Sequence, residues 1–236
     1  MTDNPPLLAA RGLGRREPNT EEWLLRDVSV EIRAGSRLAI VGPTGSGKTL
    51  LLRALAWLDP ISTGLIRWKG KPVSGHEVPH YRRHIIYLHQ RPALAERTVE
   101  ENLRLPFELH EHHARNFPRD TILAYLDQAN LDKTILDRST RELSGGEAQI
   151  VALLRAIQLE PDVLLLDEPT AALDSQSASR IEQLVARWFD HSSADRAFIW
   201  VSHNSEQVAR VADRVMTMTD GRLSDEQNTQ DLEPSP

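Results

Sequence analysis

The stretch RLAIVGPTGSGKTLLLRAL, which runs from Arg37 to Leu55, constrains the fold of this chain more than any other feature. The apolar run RLAIV is typical of a buried strand, and the residues TLLLRAL after the glycines favour a helix. Between them, GPTGSGKT fits the pattern G-x-x-x-x-G-K-[ST] completely. A strand, a glycine-rich loop and a helix in this order predict a loop whose backbone N–H groups surround phosphate oxygens.

This loop supplies the first candidate nucleotide-binding residues. Lys48 is expected to reach the β- and γ-phosphates of ATP, and the Thr49 hydroxyl is expected to take one position on Mg²⁺. The complete set of predicted binding residues in the loop is Gly42, Pro43, Thr44, Gly45, Ser46, Gly47, Lys48 and Thr49.

A second anchor for Mg²⁺ follows the apolar run Val163–Leu166. This run predicts a strand that is buried on both faces, and it ends in Asp167 and Glu168. Ligands of open parallel sheets bind at the carboxyl ends of the strands. Asp167 is therefore predicted to hold Mg²⁺, and Glu168 is predicted to polarise the water that attacks the γ-phosphate.

The rest of the chain alternates strand and helix patterns. Further strands are predicted at Trp23–Ile32, Ile85–Leu88 and Ala197–Val201, and a hairpin is predicted around Asp220-Gly221. This alternation predicts an α/β fold with a parallel sheet covered by helices. The helical stretch at about 93–141 is predicted to be an inserted subdomain within a domain at 7–223, and the polar tails 1–6 and 224–236 are expected to be flexible.

Composition limits the partners of the chain. The formal net charge of −6 argues against a nucleic-acid platform, so no nucleic acid is expected as a partner. No apolar run approaches the roughly 18 residues of a membrane span, and the start of the chain lacks the pattern of a secretory signal. Membrane association is therefore expected only through a partner.

Four further motifs occur in a fixed order and carry a family resemblance. LSGGE lies at Leu143–Glu147, Gln90 lies in IYLHQRPAL, Ala172-Leu173-Asp174 follows the carboxylate strand, and His203 lies in WVSHN. With the phosphate loop, they resemble the signature, Q-loop, D-loop and switch motifs of the nucleotide-binding subunits of ATP-binding-cassette (ABC) transporters. The resemblance extends from Leu7 to Leu223.

The resemblance implies a P-loop NTPase fold of the ABC cassette type. It implies a RecA-like parallel-sheet core, a small antiparallel β-subdomain and an inserted α-helical subdomain. Gln90 would contact Mg²⁺ or the attacking water, and His203 would contact the γ-phosphate. Ser144, Gly145, Gly146 and Asp174 would complete the nucleotide site of a second copy in a head-to-tail dimer.

The resemblance also implies an activity and partners. The chain would be the ATP-hydrolysing motor subunit of a transporter and would bind an integral membrane permease. It would be cytoplasmic and peripheral on the inner face of the cell membrane. The form of the motifs is most like that of iron-export ATPases of the FetA type, and the transported substrate is left open. A soluble ABC ATPase, such as a cofactor-assembly ATPase, is the alternative.

Departures from the family pattern generate further questions. The signature usually ends in Gln and is followed by Arg, whereas this chain has Glu147 and Ile150, and the extra negative charge could weaken closure of the dimer. The aromatic residue that stacks on the base is also missing from its usual position. The matching position is Arg15 or Arg16, of which Arg15 is the predicted substitute, and Trp23 is expected to pack in the core. The cluster at His110–His113 is expected to be a polar surface segment and not a metal site.

Overall fold

The computed structural model describes residues 4–112, 114–224 and 226–229, and in it the chain divides into two compact units. The first unit contains the described residues up to Tyr87, Asp162–Glu168, and the described residues from Ser192 onward. The second unit contains Leu88–Pro161, of which His113 is not described, and Pro169–His191.

The first unit contains a small antiparallel sheet. Its strands are β1 (Leu8–Arg16), β2 (Trp23–Ile32), β4 (Thr63–Trp68) and β5 (Lys71–Pro72), in the order β2-β1-β4-β5. The alternation predicted for Trp23–Ile32 is confirmed, because Val28, Val30 and Ile32 are all buried. The sequence pattern did not indicate β1, since irregular pairing between Ala10 and Leu13 interrupts its period of two.

The larger sheet positions the site. Its strands are β3 (Arg37–Val41), β6 (Ile85–Leu88), β7 (Val163–Asp167), β8 (Ala197–Val201), β9 (Arg214–Thr219), β10 (Arg222–Leu223) and β11 (Gln227–Asn228). The order along the sheet is β10-β9-β3-β8-β7-β6, and β11 also pairs with β9. The parallel core of the predicted α/β fold is confirmed, because β9, β3, β8 and β7 all pair in parallel.

Helices cover both faces of this sheet within the first unit. They are α1 (Lys48–Leu55), α2 (Val78–His84) and α7 (Ser205–Val211). Leu38 and Ile40 of β3 belong to the same buried cluster as Leu51 and Leu52 of α1. Ala39, on the opposite face of β3, packs in a second cluster with Val208 of α7. The strand is therefore buried on both sides, as its continuous apolar sequence predicts.

A polar cluster holds the start of β7, the strand that ends in the two acids. The Asp162 carboxylate accepts hydrogen bonds from the indole N–H of Trp68 at 3.1 Å and pairs with Lys69 at 2.8 Å and with His84 at 3.4 Å. Burial opposes ionisation of this carboxyl, but the bonds from His84 and Lys69 outweigh it and lower the pKa of Asp162 to about 2. Strand β4 and helix α2 are thus tied to β7.

The second unit is helical among its described residues. It contains α3 (Val99–Arg104), α4 (Arg119–Gln128), α5 (Gly145–Ile157) and α6 (Ser175–Asp190), with short 3₁₀ turns between them. The predicted helix after Ser144 is confirmed, and Ser144 is its N-cap. Helix α5 contacts α3 and α6, and its residues Ile150, Leu153 and Leu154 are fully buried.

Part of the predicted C-terminal tail forms regular structure, and the flexibility of the tails stays a prediction. Strand β11 pairs with β9, Glu226 forms an ion pair with Arg214, and the buried hydroxyl of Thr229 donates to the backbone carbonyl of Ala212 at 2.9 Å. The open edge of β9 and the charge of Arg214 provide these partners, which local composition does not reveal. Residues 1–3, 225 and 230–236 of the expected tails lie outside the described residues.

The described helices include none that is both long enough and apolar enough to cross a membrane.

Candidate functional site

The phosphate loop lies between β3 and α1 and depends on glycine at three positions. Gly42 has φ of 142°, and a Cβ atom there would lie 2.1 Å from the backbone carbonyl oxygen of Met218. Gly47 caps α1 in the left-handed conformation, with φ of 109°. Gly45 has φ of 81°, and a Cβ atom there would meet no neighbouring atom within 4 Å. The loop therefore follows a path that side chains would block at Gly42 and strain at all three glycines.

Two polar side chains of this loop fit it for an anionic ligand. The Lys48 ammonium donates to the backbone carbonyls of Gly42 and Pro43, each at 2.9 Å. The Ser46 hydroxyl is buried and has no hydrogen-bond partner among the described residues. A buried hydroxyl without a partner is costly unless a ligand satisfies it. The loop thus offers a cation and a buried hydroxyl where phosphate oxygens are predicted to bind.

Asp167 and Thr49 come together as the predicted oxygen ligands of Mg²⁺. Asp167 is the last residue of β7 and is 3% exposed. The Thr49 hydroxyl, in the first turn of α1, donates to Oδ1 of Asp167 at 3.1 Å. A carboxylate and a hydroxyl side by side are the hard oxygen donors that Mg²⁺ requires.

Tyr87 contacts the predicted Mg²⁺ pair, and the sequence reasoning missed it. Its phenol donates to Oδ2 of Asp167 at 2.7 Å, so both oxygens of the carboxylate accept a hydrogen bond. Burial raises the pKa of Tyr87, and its hydrogen bond to Asp167 raises it further, so the phenol keeps its proton. Its only signal in the sequence was its place in the short strand Ile85–Leu88, which does not reveal which neighbour it contacts.

Glu168 and His203 lie at the ends of two neighbouring strands. Glu168 follows β7 and has φ of 46°, an uncommon conformation for a residue with a side chain. Its backbone N–H donates to the carbonyl of Val201, at the end of β8, at 3.2 Å. Nε2 of His203 lies 2.5 Å from Oε1 of Glu168. The strained backbone and this contact hold the carboxylate in one place, which is typical of functional positions.

The acids and Lys48 also interact through their charges. Burial lowers the pKa of Lys48, and the nearby carboxylates of Glu168 and Asp167 oppose that effect by raising it. The first unit therefore brings together a cation, a magnesium-type oxygen pair and a separate carboxylate–histidine pair. These are the groups that a phosphoryl-transfer site needs.

Arg15, the residue predicted to stack on the base, is engaged with other charged side chains. The guanidinium of Arg15 pairs with Asp59, which also accepts two hydrogen bonds from Arg53 at 2.8 Å. These bonds, chiefly those of Arg53, lower the pKa of Asp59 to about 2 against the opposing effect of burial. A base-stacking role for Arg15 stays a prediction.

A cleft of about 750 Å³ adjoins the tip of the phosphate loop. Its lining includes Trp23, Leu24, Gly45 and Leu50, together with the hairpin at 219–224. Trp23 is half-buried, and the guanidinium carbon of Arg16 lies 4.4 Å from the centre of its ring. Trp23 and the tip of the phosphate loop therefore line the same cleft.

The remaining predicted residues belong to the second unit. Oδ1 of Asp174 caps α6 by accepting from the backbone N–H groups of Gln176 and Ser177, each at 3.0 Å. A Cβ atom on Gly146 would lie 2.4 Å from the Ser177 hydroxyl, so the signature turn and the first turn of α6 are close neighbours. Gln90 follows β6 and is exposed. Ser144, Gly146 and Asp174 thus lie in one region of this unit.

The described part of the chain, which excludes His113, contains no group of three or more His, Cys, Asp or Glu residues that could hold a metal ion.

The chain is similar to known proteins over most of its length. The family described as ABC transporter matches residues 25–171. Protein STAR1 of Oryza sativa is 35% identical over 218 residues, which are 92% of this chain, and the chain spans 62% of that protein. The probable iron export ATP-binding protein FetA of Escherichia coli is 33% identical over 220 residues, covering 92% of this chain and 93% of that protein. The phosphate import ATP-binding protein PstB 2 of Mycobacterium tuberculosis is 35% identical, covering 90% and 79%.

Solved structures of ABC cassettes have a similar fold. The chain is similar, with a TM-score of 0.82 and 27% identity, to the ATP-binding cassette MJ0796 in a dimeric post-hydrolysis state bound to ADP and Pi, covering 95% of this chain and 100% of that one. It is also similar to cbiO1 of Clostridium perfringens, part of the ABC transporter complex cbiONQ, with a TM-score of 0.79, 25% identity and coverage of 96% and 90%. The chain therefore belongs to the ABC transporter family and forms its ATPase cassette.

Proposed function

We propose that this chain is the motor subunit of a membrane transporter and that two copies close head to tail on ATP. The observation that carries the proposal is the pairing of two contacts in the first unit, Thr49 with Asp167 and Glu168 with His203. The first pair suits a metal-bound phosphate, and the second suits an attacking water. A phosphate-binding loop alone would not provide the second pair.

In this mechanism Lys48 exchanges its bonds to Gly42 and Pro43 for the β- and γ-phosphates. Thr49 and Asp167 are the residues that would hold Mg²⁺, with Gln90 as the third predicted ligand. When bound, Mg²⁺ neutralises charge that develops on the phosphate oxygens. Glu168 orients the attacking water and accepts its proton, while the Nε2–H of His203 exchanges its contact with Glu168 for the γ-phosphate.

The second copy completes each site. Ser144, Gly145 and Gly146 lie at the N-terminal end of a helix of 13 residues, where the N–H groups of Gly145 and Gly146 and the helix dipole favour an anion. We place them over the γ-phosphate in the partner's cradle, with Asp174 at the same junction. The dimeric state of MJ0796 with ADP and Pi supports this arrangement.

A permease is the proposed membrane partner, and it would hold the chain at the cytoplasmic face of the membrane. The relatives named for iron export and phosphate import, and the cbiONQ complex, support transport over a soluble cofactor-assembly role.

Iron or another metal is the proposed cargo, on the similarity to FetA. The test is efflux of radioactive iron from cells that express the chain with its permease, compared with cells that carry the Glu168→Gln variant. Equal efflux in the two would refute metal export.

Replacing Glu168 by Gln tests the site and the dimer together. We expect ATP binding to be retained, turnover to fall at least about 100-fold because the general base is lost, and an ATP-bound dimer to accumulate. ATPase assays and analytical ultracentrifugation measure these effects. Glu206→Gln, at an exposed glutamate of α7, is the control and should leave both unchanged. Persistent turnover would refute the role of Glu168, and a monomer at saturating ATP would refute the head-to-tail dimer.

Tyr87→Phe tests the proposed Mg²⁺ pair without relying on activity. Loss of the Tyr87 hydroxyl leaves Oδ2 of Asp167 without its hydrogen-bond donor. We therefore expect the affinity of the ATP-bound protein for Mn²⁺ to fall about tenfold. Electron paramagnetic resonance of Mn²⁺ measures it, and ATP affinity without metal should be unchanged. Tyr125→Phe, in α4 of the second unit, is the control. Unchanged Mn²⁺ affinity in Tyr87→Phe would contradict the positioning role.

Base stacking is tested by comparing Trp23→Ala with Arg15→Ala. Because Trp23 lines the cleft beside Gly45, we propose that its ring contacts the base and that its removal weakens ATP binding about tenfold. Inorganic triphosphate, which has no base, should bind both variants as it binds the unmodified chain. If Arg15→Ala weakens ATP binding while Trp23→Ala does not, the Arg15 prediction holds and the Trp23 proposal fails.

A further inference from the structure

We propose that Arg138 neutralises the Glu147 carboxylate and so allows an acidic residue at the end of the signature turn without repelling the partner's ATP. The inference rests on the proposed head-to-tail dimer and adds a residue outside the predicted site to it. Arg138 and Glu147, which are nine residues apart in the second unit, form an ion pair.

Both oxygens of the Glu147 carboxylate are engaged at the start of α5. Oε2 accepts the backbone N–H of Ser144 at 2.7 Å, and Oε1 accepts Nη1 of Arg138 at 2.7 Å. The Ser144 hydroxyl in turn accepts the backbone N–H of Glu147 at 3.2 Å, which completes a reciprocal cap. The carboxylate is therefore fixed next to Ser144, Gly145 and Gly146.

This carboxylate is charged at neutral pH. Burial acts to raise the pKa of Glu147, but the N–H of Ser144 and the guanidinium of Arg138 outweigh it, and the pKa lies below its usual value. The Glu147 side chain is only 22% exposed, so solvent screens it incompletely. A full negative charge next to the proposed anion site must therefore be balanced by a neighbouring cation.

Arg138 is held where it can provide that balance. Its Nη2 donates to the backbone carbonyl of Glu142 at 2.6 Å, and its own backbone carbonyl accepts the N–H of Val99 at 3.0 Å. Besides its contact with Glu147, the guanidinium is therefore held by the Glu142 carbonyl, and the Arg138 backbone is held by Val99. The pair gives α5 a strong acidic cap, which suits the helix dipole, with little net charge facing a phosphate.

Repulsion between an unbalanced Glu147 carboxylate and ATP would act at both sites of the dimer. A head-to-tail dimer contains two equivalent sites, so an unbalanced carboxylate would oppose the bound triphosphate twice. Removal of Arg138 alone should therefore weaken closure on ATP, and removal of both charges should restore it. A purely structural role of Arg138 would instead leave the double variant as weak as the single one.

The experiment measures the ATP concentration at half-dimerisation by analytical ultracentrifugation, with Glu168→Gln in every protein to stop turnover. The variants are Arg138→Gln, Glu147→Gln and the two together. Arg141→Gln is the matched control, because it removes a positive charge from the same segment whose partner is the exposed Glu96. Thermal unfolding and ATP binding by the monomer report whether each variant is folded.

We expect Arg138→Gln to raise that ATP concentration about tenfold at low salt, with a smaller effect at high salt. For the double variant, this ATP concentration should return to within about threefold of that of the starting protein. Arg141→Gln should have the same value as the starting protein. An unchanged Arg138→Gln variant, or a double variant as weak as the single one, would overturn the inference. Failure of the Glu168→Gln parent to dimerise would instead refute the proposed head-to-tail dimer.

Discussion

The parallel register of β3, β8 and β7 is the constraint on which the rest of the site depends. Ile40 of β3 lies beside Val201 of β8, and Val201 lies beside Asp167 of β7. Because the three strands end at the same level, the phosphate loop, the two acids and His203 emerge at one edge of the sheet. The hydrogen bond between Thr49 and Asp167 then fixes α1 to the end of β7. The phosphate loop, the two acids and His203 are thus positioned by strands that are buried on both faces.

Two backbone features at this edge of the sheet depend on the packing of the core. Gly42 passes so close to Met218 that no side chain fits, and Glu168 adopts a left-handed backbone conformation. A left-handed backbone at a residue with a side chain costs about 1–3 kcal/mol and persists only where the surrounding packing fixes it. The fully buried residues of β7 and β8 provide that packing. Stability in the core is thus coupled to geometry in the site.

Local patterns predicted most of the fold, whereas long-range contacts decided the details that they missed. The phosphate loop and the strand before Asp167 follow from short runs of residues, so their prediction was straightforward. Strand β1 was missed because its bulges break the alternation. Tyr87 and Arg138 were missed because their roles depend on partners 80 and nine residues away, which no periodicity records. Glu147 stands where the family signature usually has Gln, and the sequence does not show what balances its charge. Its ion pair with Arg138 is visible only in the structure.

The central claim is that the signature turn of one copy completes the phosphate site of another, and mixing two inactive variants tests it most directly. Lys48→Ala removes the cradle's cation, and Ser144→Arg blocks the signature turn, so each variant alone should lack ATPase activity. A mixed dimer would contain one site with both defects and one intact site. The account predicts that an equal mixture regains up to about a quarter of the unmodified activity, since about half the dimers are mixed and each has one intact site. A mixture as inactive as its components would contradict it.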